Sequence, residues 1–509
     1  MKFIKKIDFY DKLSIILFTI YLFLLIVLSH FHEMGGYGVE TDFYGRYAIQ
    51  AKRILEGKIY EDMMHGPGYP VVLALLSVIF GNMFTTGKII SIISALLFGF
   101  LIFKVFRVLF NSKLAFYTLL VLFINIIPFP VLVSIDMFFA FLVGLTIFFI
   151  FKEQKITNVR LFFSGLVAGY AFITRYDGVS LAASVVFSIF FINPEYVNWA
   201  QRMKNVAIFT FAFFLSSLPW LVINFMQSGS PLHNLTYLNM AANFYGIQGA
   251  SYGEFIRTAS EKFDSFFAVF SYDPPRFILG VIKNTYYHFN SILFDVLRFP
   301  LFLFFVPGAV ILMNKINKRQ LSCFVFPVFG FCVLSLAIFL KRYYLPFIPF
   351  FVILSLYFVF YYRDNFEKEN SFLKKVFSFS KISFIFIAVF VLNSGIKEAK
   401  RYINTEPTEL LKLSQTLREQ TTEKDIIIAR KPHLGYLSNM KTIYFPEVNS
   451  LEELLTYAEK EGATYLLYST LEAELRPKLR ILHEPKKVSA SLKVVYQQDE
   501  PKIFLYQIL

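Results

Sequence analysis

KIISIISALLFGFLIFKVF, residues 88–106, runs for nineteen residues with only two charges, Lys88 at its start and Lys104 near its end. As a helix rising about 1.5 Å per residue, it nearly crosses the roughly 30 Å hydrocarbon core of a bilayer. Runs of the same kind recur on both sides of it. Leu13 to Leu28 is apolar after a basic start and is followed by SHFHEMGG, which offers no small-residue cleavage site, so it reads as a first spanning helix rather than a signal peptide. Further spans are expected at about 114–129, 134–151, 160–174, 178–192, 205–226, 291–313, 320–340, 343–362 and 378–394, eleven in all. Pro128 and Pro130 interrupt the pair at 114–151.

Composition agrees with this reading. Of 509 residues, 56% are hydrophobic, 19% aromatic and only 17% charged, with 65 Phe and 30 Tyr. Mean hydropathy is +0.55. A soluble domain carries about 25% charged residues, so a soluble enzyme, a disordered chain and a disulfide-rich secreted module are excluded. The two cysteines, Cys323 and Cys332, lie nine positions apart in one apolar run and frame neither a disulfide network nor a thiol metal site. The net charge of +14 is read as topology rather than as a nucleic-acid surface. Alternate connections, from MKFIKKIDFYDK to YYRDNFEKENSFLKK, hold about nineteen Lys and Arg against about seven Asp and Glu. The opposite connections are balanced in sign. The positive-inside bias therefore puts the N-terminus in the cytoplasm, and eleven crossings put the C-terminus outside. PGYPVVLALLSVIF (67–80) is apolar but short for a span, and reads as a re-entrant or interface-lying helix in the first outer loop.

The expected fold is a polytopic α-helical membrane protein with a small C-terminal extracytoplasmic α/β domain. Residues 1–395 form the membrane domain, with large outer loops at about 29–87 and 227–290, and 396–509 form the second domain. In that domain IIIAR (426–430), YLLYS (465–469), LKVVYQ (492–497) and KIFLYQI (502–508) read as strands. SLEELLTYAEKEG (450–462) reads as a helix with Ser450 as cap, Glu453 completing a capping box and Gly462 at its end.

The chemistry-bearing residues cluster at outer helix ends. In VETDFYGRYAIQAKRILEG, Thr41 is placed to cap a helix from Asp42 to about Leu55, closed by Gly57. Tyr44, Tyr47, Ala48, Ala51 and Leu55 would pack one face of it on the membrane domain. Asp42 reads either as a carboxylate poised at the water–membrane boundary or as a first-turn acid placed for the helix dipole. Asp136, after Pro128-Phe-Pro and Ser134, is a carboxylate against an apolar helix, or an interfacial acid reaching water. Arg175 and Asp177 lie in TRYDG, where a local ion pair could also close the turn. Lys341, Arg342 and Tyr343 put two cations on an outer end, which suggests either a bound anion or headgroup anchoring. His65, before Gly66-Pro67-Gly68, faces a phosphate or makes a structural hydrogen bond. Trp220 reads as an interfacial aromatic anchor.

An acid in a large first outer loop, HGPGYP, an Asp in the next outer connection, TRYDG and a late RYYLP follow one another in order. The assembly resembles the C-type membrane glycosyltransferases, and is similar to the dolichyl-phosphate-mannose protein mannosyltransferases and the aminoarabinose transferases of lipid A. Those families usually carry Asp-Glu in the first loop. Here Thr41-Asp42-Phe43 keeps only the first acid, and Glu40 stands at another offset, which weakens the case for a two-carboxylate metal site. The resemblance implies a sugar donor linked to a polyprenyl phosphate and an acceptor protein, lipid or glycan at the outer face of the plasma membrane. In it Asp42 would be general base in an inverting displacement, with Asp136 orienting the acceptor or the partners of Asp42. Arg342, Lys341, Arg175 and His65 would hold the donor phosphate, supported by Asp177 and Tyr343. No cofactor is required on this reading, and a divalent metal stays open. The competing classes are a transporter or flippase of lipid-linked sugars and a non-catalytic envelope-assembly scaffold. The first should carry deep intramembrane charges or paired broken helices, and the second should tolerate loss of Asp42.

Overall fold

The computed structural model describes residues 8–153, 155–192, 198–246, 258–366, 389–488 and 491–509. The chain forms two compact units. One comprises Met1–His32, Gln50–Leu235 and Pro275–Asn404; the other comprises Glu33–Ile49, Thr236–Pro274 and Thr405–Leu509. The division is therefore not a single cut near residue 395, because parts of both large outer loops belong with the C-terminal segment.

The first unit is helical. Asn82, Asn111, Ser134, Thr157, Asn198 and Asn317 each accept a backbone N–H at the start of one of its helices, which satisfies donors that the first turn leaves unpaired. At the other end of Phe9–His30, the Lys88 ammonium donates to the carbonyls of Ser29 and His32 at 3.0 and 2.9 Å. Among the described residues four helices are long and apolar enough to cross a membrane: Phe9–His30, Met83–Leu109, Trp199–Ser228 and Lys341–Tyr361. Ser112–Ile126, Ile135–Phe151, Asn158–Thr174 and Tyr176–Ile192 are apolar but shorter, and fall where spans were expected. The stretch 291–313 is not one straight span. Pro274–Leu297 and Leu301–Met313 meet at 117°, around Arg298 with a φ of +62° and Pro300, which has no N–H to continue a helix. Residues 378–388 of the last expected span lie outside the described residues. Gly68–Phe80 is a 13-residue helix that buries Tyr69, Leu73, Ala74 and Ser77 and exposes Leu75, Val78 and Ile79. Ile15, Phe23, Phe211 and Phe214 are also exposed, as lipid-facing positions of a membrane protein are.

The second unit carries a five-stranded sheet: β1 (Ile426–Ala429), β2 (Lys441–Tyr444), β3 (Tyr465–Ser469), β4 (Leu492–Gln498) and β5 (Ile503–Ile508) in the order β2-β1-β3-β5-β4. β1 runs parallel to β2 and β3, with Ile427 opposite both Thr442 and Tyr465; β5 is antiparallel to β3 and β4. Both faces are covered, which is why β1 and β3 are continuous apolar runs. Ile427, Ala429 and Leu467 pack with Leu410, Leu413 and Leu434 on one face, and Met34 of the first outer loop joins them. Ile428, Leu466 and Tyr468 pack with Leu454 and Ala458 on the other. Helix Leu451–Glu461 is capped by Ser450, which accepts from the Glu453 N–H at 3.1 Å, and ends at Gly462 with a φ of +65°. The Glu453 carboxylate reaches back one residue further than a capping box requires, to the Asn449 N–H at 2.8 Å.

Candidate active site

The HGPGYP turn is pressed against the end of helix Asn158–Thr174. A Cβ on Gly66 would sit 2.0 Å from the Ile173 carbonyl oxygen, and one on Gly68 would sit 2.2 Å from Thr174 Oγ1, so only glycine permits this approach. The Tyr170 hydroxyl donates to the Gly68 carbonyl at 2.8 Å, and the Tyr60 hydroxyl reaches the carbonyls of His65 and Gly66 at 2.9 and 3.1 Å. Within the turn, His65 Nδ1 lies 3.1 Å from Asp62 Oδ2, while Asp62 Oδ1 accepts from the Met64 N–H at 2.9 Å. Buried Asp62 thus orients the imidazole through Nδ1 and turns Nε2 away from itself. Asp62 escaped the sequence reading, although its place three residues before His65 was the available signal. Trp220 is not an interfacial anchor. It is 1% exposed and packs edge-on against Tyr60, because this outer turn covers it.

Three elements converge on a second cluster. Asp136 opens helix Ile135–Phe151, Arg175 follows the last turn of Asn158–Thr174, and Arg342 with Tyr343 lies in the 3₁₀ turn Lys341–Phe347. Arg175 grips Asp177 with Nε at 3.0 Å and Nη2 at 3.1 Å, and its Nη1 reaches Asp136 at 2.5 Å. The turn-closing pair expected from TRYDG is therefore present, and the same guanidinium also ties down Asp136. Its plane lies 4.3 Å from the centre of the Tyr343 ring. Asp136 is 1% exposed, and its Oδ2 lies 3.6 Å from Arg342 Nη1. Two carboxylates thus balance two guanidiniums, as a buried charge requires. Arg342 makes the longest of these contacts.

Lys341 takes another direction from its neighbour. Its ammonium lies 3.3 Å from Glu398, which also pairs with Arg298, and Arg298 donates to Ser394 Oγ at 2.6 Å. Burial raises the Glu398 carboxyl, but Lys341 and Arg298 outweigh it and hold the pKa below the ordinary carboxylate value. Glu398 and Arg298 were not anticipated from the sequence, because each is far along the chain from Lys341.

Asp42 belongs to the second unit. It precedes the π turn Phe43–Tyr47, which continues as helix Ala48–Leu55. Thr41 does not cap this helix, since its hydroxyl donates instead to the Tyr37 carbonyl at 2.8 Å. Tyr44, expected to pack on the membrane domain, has its partners within the second unit. Its hydroxyl accepts from the Gly35 N–H at 2.9 Å, and its ring packs on His433 and Tyr436. Glu40 is buried and accepts from the Gly36 N–H at 2.9 Å, the role of a turn acid. Lys431 is in electrostatic reach of Asp42: burial and Arg430 lower the lysine's pKa, and Asp42 opposes them. Among the described residues no group of three His, Cys, Asp or Glu gathers as metal ligands would.

Residues 64–222 match the profile of a family described as dolichyl-phosphate-mannose-protein mannosyltransferase. The fold matches a crystal structure of ArnT from Cupriavidus metallidurans bound to undecaprenyl phosphate, with a TM-score of 0.65 and 13% identity over 97% of this chain and 98% of that one. The chain has the C-type fold of membrane glycosyltransferases. A second match is the Archaeoglobus fulgidus oligosaccharyltransferase tethered with an acceptor peptide, at TM-score 0.57 and 12% identity over 89% of this chain and 69% of that one. The archaeal oligosaccharyltransferase AglB from Archaeoglobus fulgidus, in complex with an inhibitory peptide and a dolichol-phosphate, matches at a TM-score of 0.57 and 13% identity over 92% of this chain and 70% of that one. No curated sequence matches the chain significantly. In this C-type chain the family-matched segment begins at Met64, so it takes in His65, Asp136, Arg175 and Asp177 and leaves Asp42, Lys341 and Arg342 outside.

Proposed function

We propose that this protein transfers a sugar from a polyprenyl-phosphate donor to an acceptor at the outer face of the plasma membrane, inverting the anomeric centre. One observation carries the reading: the family-matched segment opens at the HGPGYP turn and includes TRYDG, within a fold matched nearly end to end by a structure holding undecaprenyl phosphate. In the reaction, Asp42 takes the proton of the acceptor hydroxyl as its oxygen forms a bond to the anomeric carbon. The bond from that carbon to the phosphate oxygen breaks, and the lipid phosphate leaves with the electron pair. Arg342 and His65 meet the charge that develops on the leaving phosphate. Arg175, gripped by Asp136 and Asp177, is the rigid member that holds this region in place, and Lys341 shares the Glu398 carboxylate with Arg298.

The test is complementation of a strain lacking the gene, with lipid-linked sugars and surface glycans measured together by mass spectrometry. Asp42→Asn is expected to express normally, to lose transfer by about 10²–10⁴-fold, and to accumulate the polyprenyl-phosphate sugar. The sugar missing from the surface then names the donor. Full restoration of the glycan by Asp42→Asn would reduce Asp42 to a turn acid and overturn the reading.

A further inference from the structure

The second unit contains a cavity of about 190 Å³ that the displacement chemistry does not use. It opens at the carboxyl ends of β1 and β3. Arg430 and Lys431 follow β1, Ser469 ends β3 and Thr470 follows it, and Lys502 precedes the antiparallel β5 at the same edge. The chain leaves β1 for β2 on one side and returns past β1 to β3 on the other. The strand order therefore reverses between β1 and β3, and such switch points are where open α/β sheets bind ligands.

The lining is built and polar. Glu472 is buried, accepts from the Ser469 N–H at 2.9 Å and from the Ser469 hydroxyl, and stands 3.4 Å from Arg430 Nε. The Arg430 guanidinium lies 5.2 Å from the centre of the Tyr37 ring. Arg430 Nε is buried without a hydrogen-bond acceptor, a state that costs free energy unless a ligand relieves it. Glu409 adds a second carboxylate to the lining, and Leu467 and Ile503 add apolar surface.

Charge and size select the ligand. A bare phosphate would meet Arg430, Lys431 and Lys502 but also Glu409 and Glu472, and an ammonium would meet the reverse. A neutral polyhydroxyl ring uses donors and acceptors together and lays its C–H face on Tyr37 and the apolar surface. The volume is below the roughly 300–1,000 Å³ of pockets that enclose a whole drug-sized ligand, so it suits one ring rather than a chain. Lys431 lines the cavity and is also a cation in electrostatic reach of Asp42.

We propose that this cavity binds one uncharged sugar ring of a glycan acceptor, clamped by Arg430 and Glu409. The proposal rests on the transferase reading for the word acceptor, but its test needs no donor. Full-length protein in lipid nanodiscs is titrated with the methyl glycosides of glucose, galactose, mannose and N-acetylglucosamine, followed by saturation-transfer NMR. At least one glycoside is expected to receive saturation. Its binding is expected to weaken about tenfold or more in Arg430→Met and Glu409→Gln, each of which removes a charge-assisted hydrogen bond. Binding should persist in Asp42→Asn, and inorganic phosphate should not displace it. Lys502→Ala, at a half-exposed position, gives a second variant that leaves the buried lining untouched and should also weaken binding. No saturation of any glycoside, saturation unchanged in all three cavity variants, or displacement by phosphate would each overturn the proposal. Failure of the transferase reading shows elsewhere, as a normal surface glycan in Asp42→Asn cells with sugar binding intact.

Discussion

Asp136 has the most demanding environment of the candidate residues. It is buried between two guanidiniums and accepts a 2.5 Å hydrogen bond from one of them. Removing it strands positive charge where water cannot replace the partner, so Asp136→Ala is expected to cost about 3–5 kcal/mol. Asp177→Asn should cost less than half as much, because Asp177 is more exposed and Arg175 keeps Asp136. Chemical denaturation in detergent compares the two, and a loss under about 1 kcal/mol for Asp136→Ala would contradict the buried-pair account. His433 makes a prediction in pH. Burial pushes its pKa down to about 4, with the Gly36 carbonyl opposing and Lys431 reinforcing. Nε2 lies 3.2 Å from the Gly36 oxygen, and buried Nδ1 has no partner, which fits a neutral ring donating from Nε2. The folded pKa lies below the unfolded value near 6.5, so between about pH 6.5 and 4 the unfolded chain holds the extra proton. The stabilisation is complete above pH 6.5 and is lost on acidification, by up to about 3 kcal/mol at pH 4. Denaturation midpoints should fall across that window, and the fall should flatten in His433→Gln.

At the scale of the element, the HGPGYP turn is a packing device that also orients His65. Ala at Gly66 or Gly68 would drive a methyl into the backbone or side chain of Ile173 and Thr174, an overpacking cost of about 1–3 kcal/mol. Because Arg175 is the next residue, the displacement should reach the Asp136 cluster. Both variants are expected to lose transfer as well as stability. Gly36→Ala, whose Cβ would meet nothing within 4 Å, should stay within about 0.5 kcal/mol of wild type. Thermal unfolding and transfer assays on the three variants check this. The glycines stood out in the sequence as turn formers, but the helix they press against could not be read there. The same boundary holds elsewhere. Ser450 and Gly462 mark their helix because caps are local chemistry. Edge strand β2, Lys-Thr-Ile-Tyr, was missed because it is short and exposed at Lys441. Thr41 looked like a cap, yet its hydroxyl prefers the Tyr37 carbonyl. Glu398, Arg298 and Lys431 acquire meaning only from partners about 40 to several hundred positions away, which periodicity cannot register.

For the whole molecule, the makeup of the second unit constrains how the chain threads the bilayer. Glu33–Ile49, Thr236–Pro274 and Thr405–Leu509 form one compact unit, in which Met34 of the first packs with Leu410 and Leu434 of the third. A compact unit cannot be divided by a membrane, so the three segments lie on one side. The chain between 50 and 235, and again between 275 and 404, must then cross an even number of times. Six of the expected spans fall in the first interval and four in the second, and both counts satisfy the condition. With the six expected spans, counting Gly68–Phe80 as a crossing would make the first interval odd, so the proposed topology has this 13-residue helix enter without crossing. On the proposed orientation, with the Lys- and Arg-rich connections in the cytoplasm, the second unit faces out. With Cys323 and Cys332 replaced by Ser, cysteines introduced as Glu33→Cys and Glu452→Cys should react with a membrane-impermeant maleimide in intact cells. Lys315→Cys, in the basic connection Asn-Lys-Ile-Asn-Lys-Arg, should react only after the cells are opened. Labelling of 315 with protection of 33 and 452 would invert the protein and remove the outer-face reaction. Labelling of 33 without 452 would break the even-crossing argument itself, because it would place two parts of one compact unit on opposite sides of the bilayer.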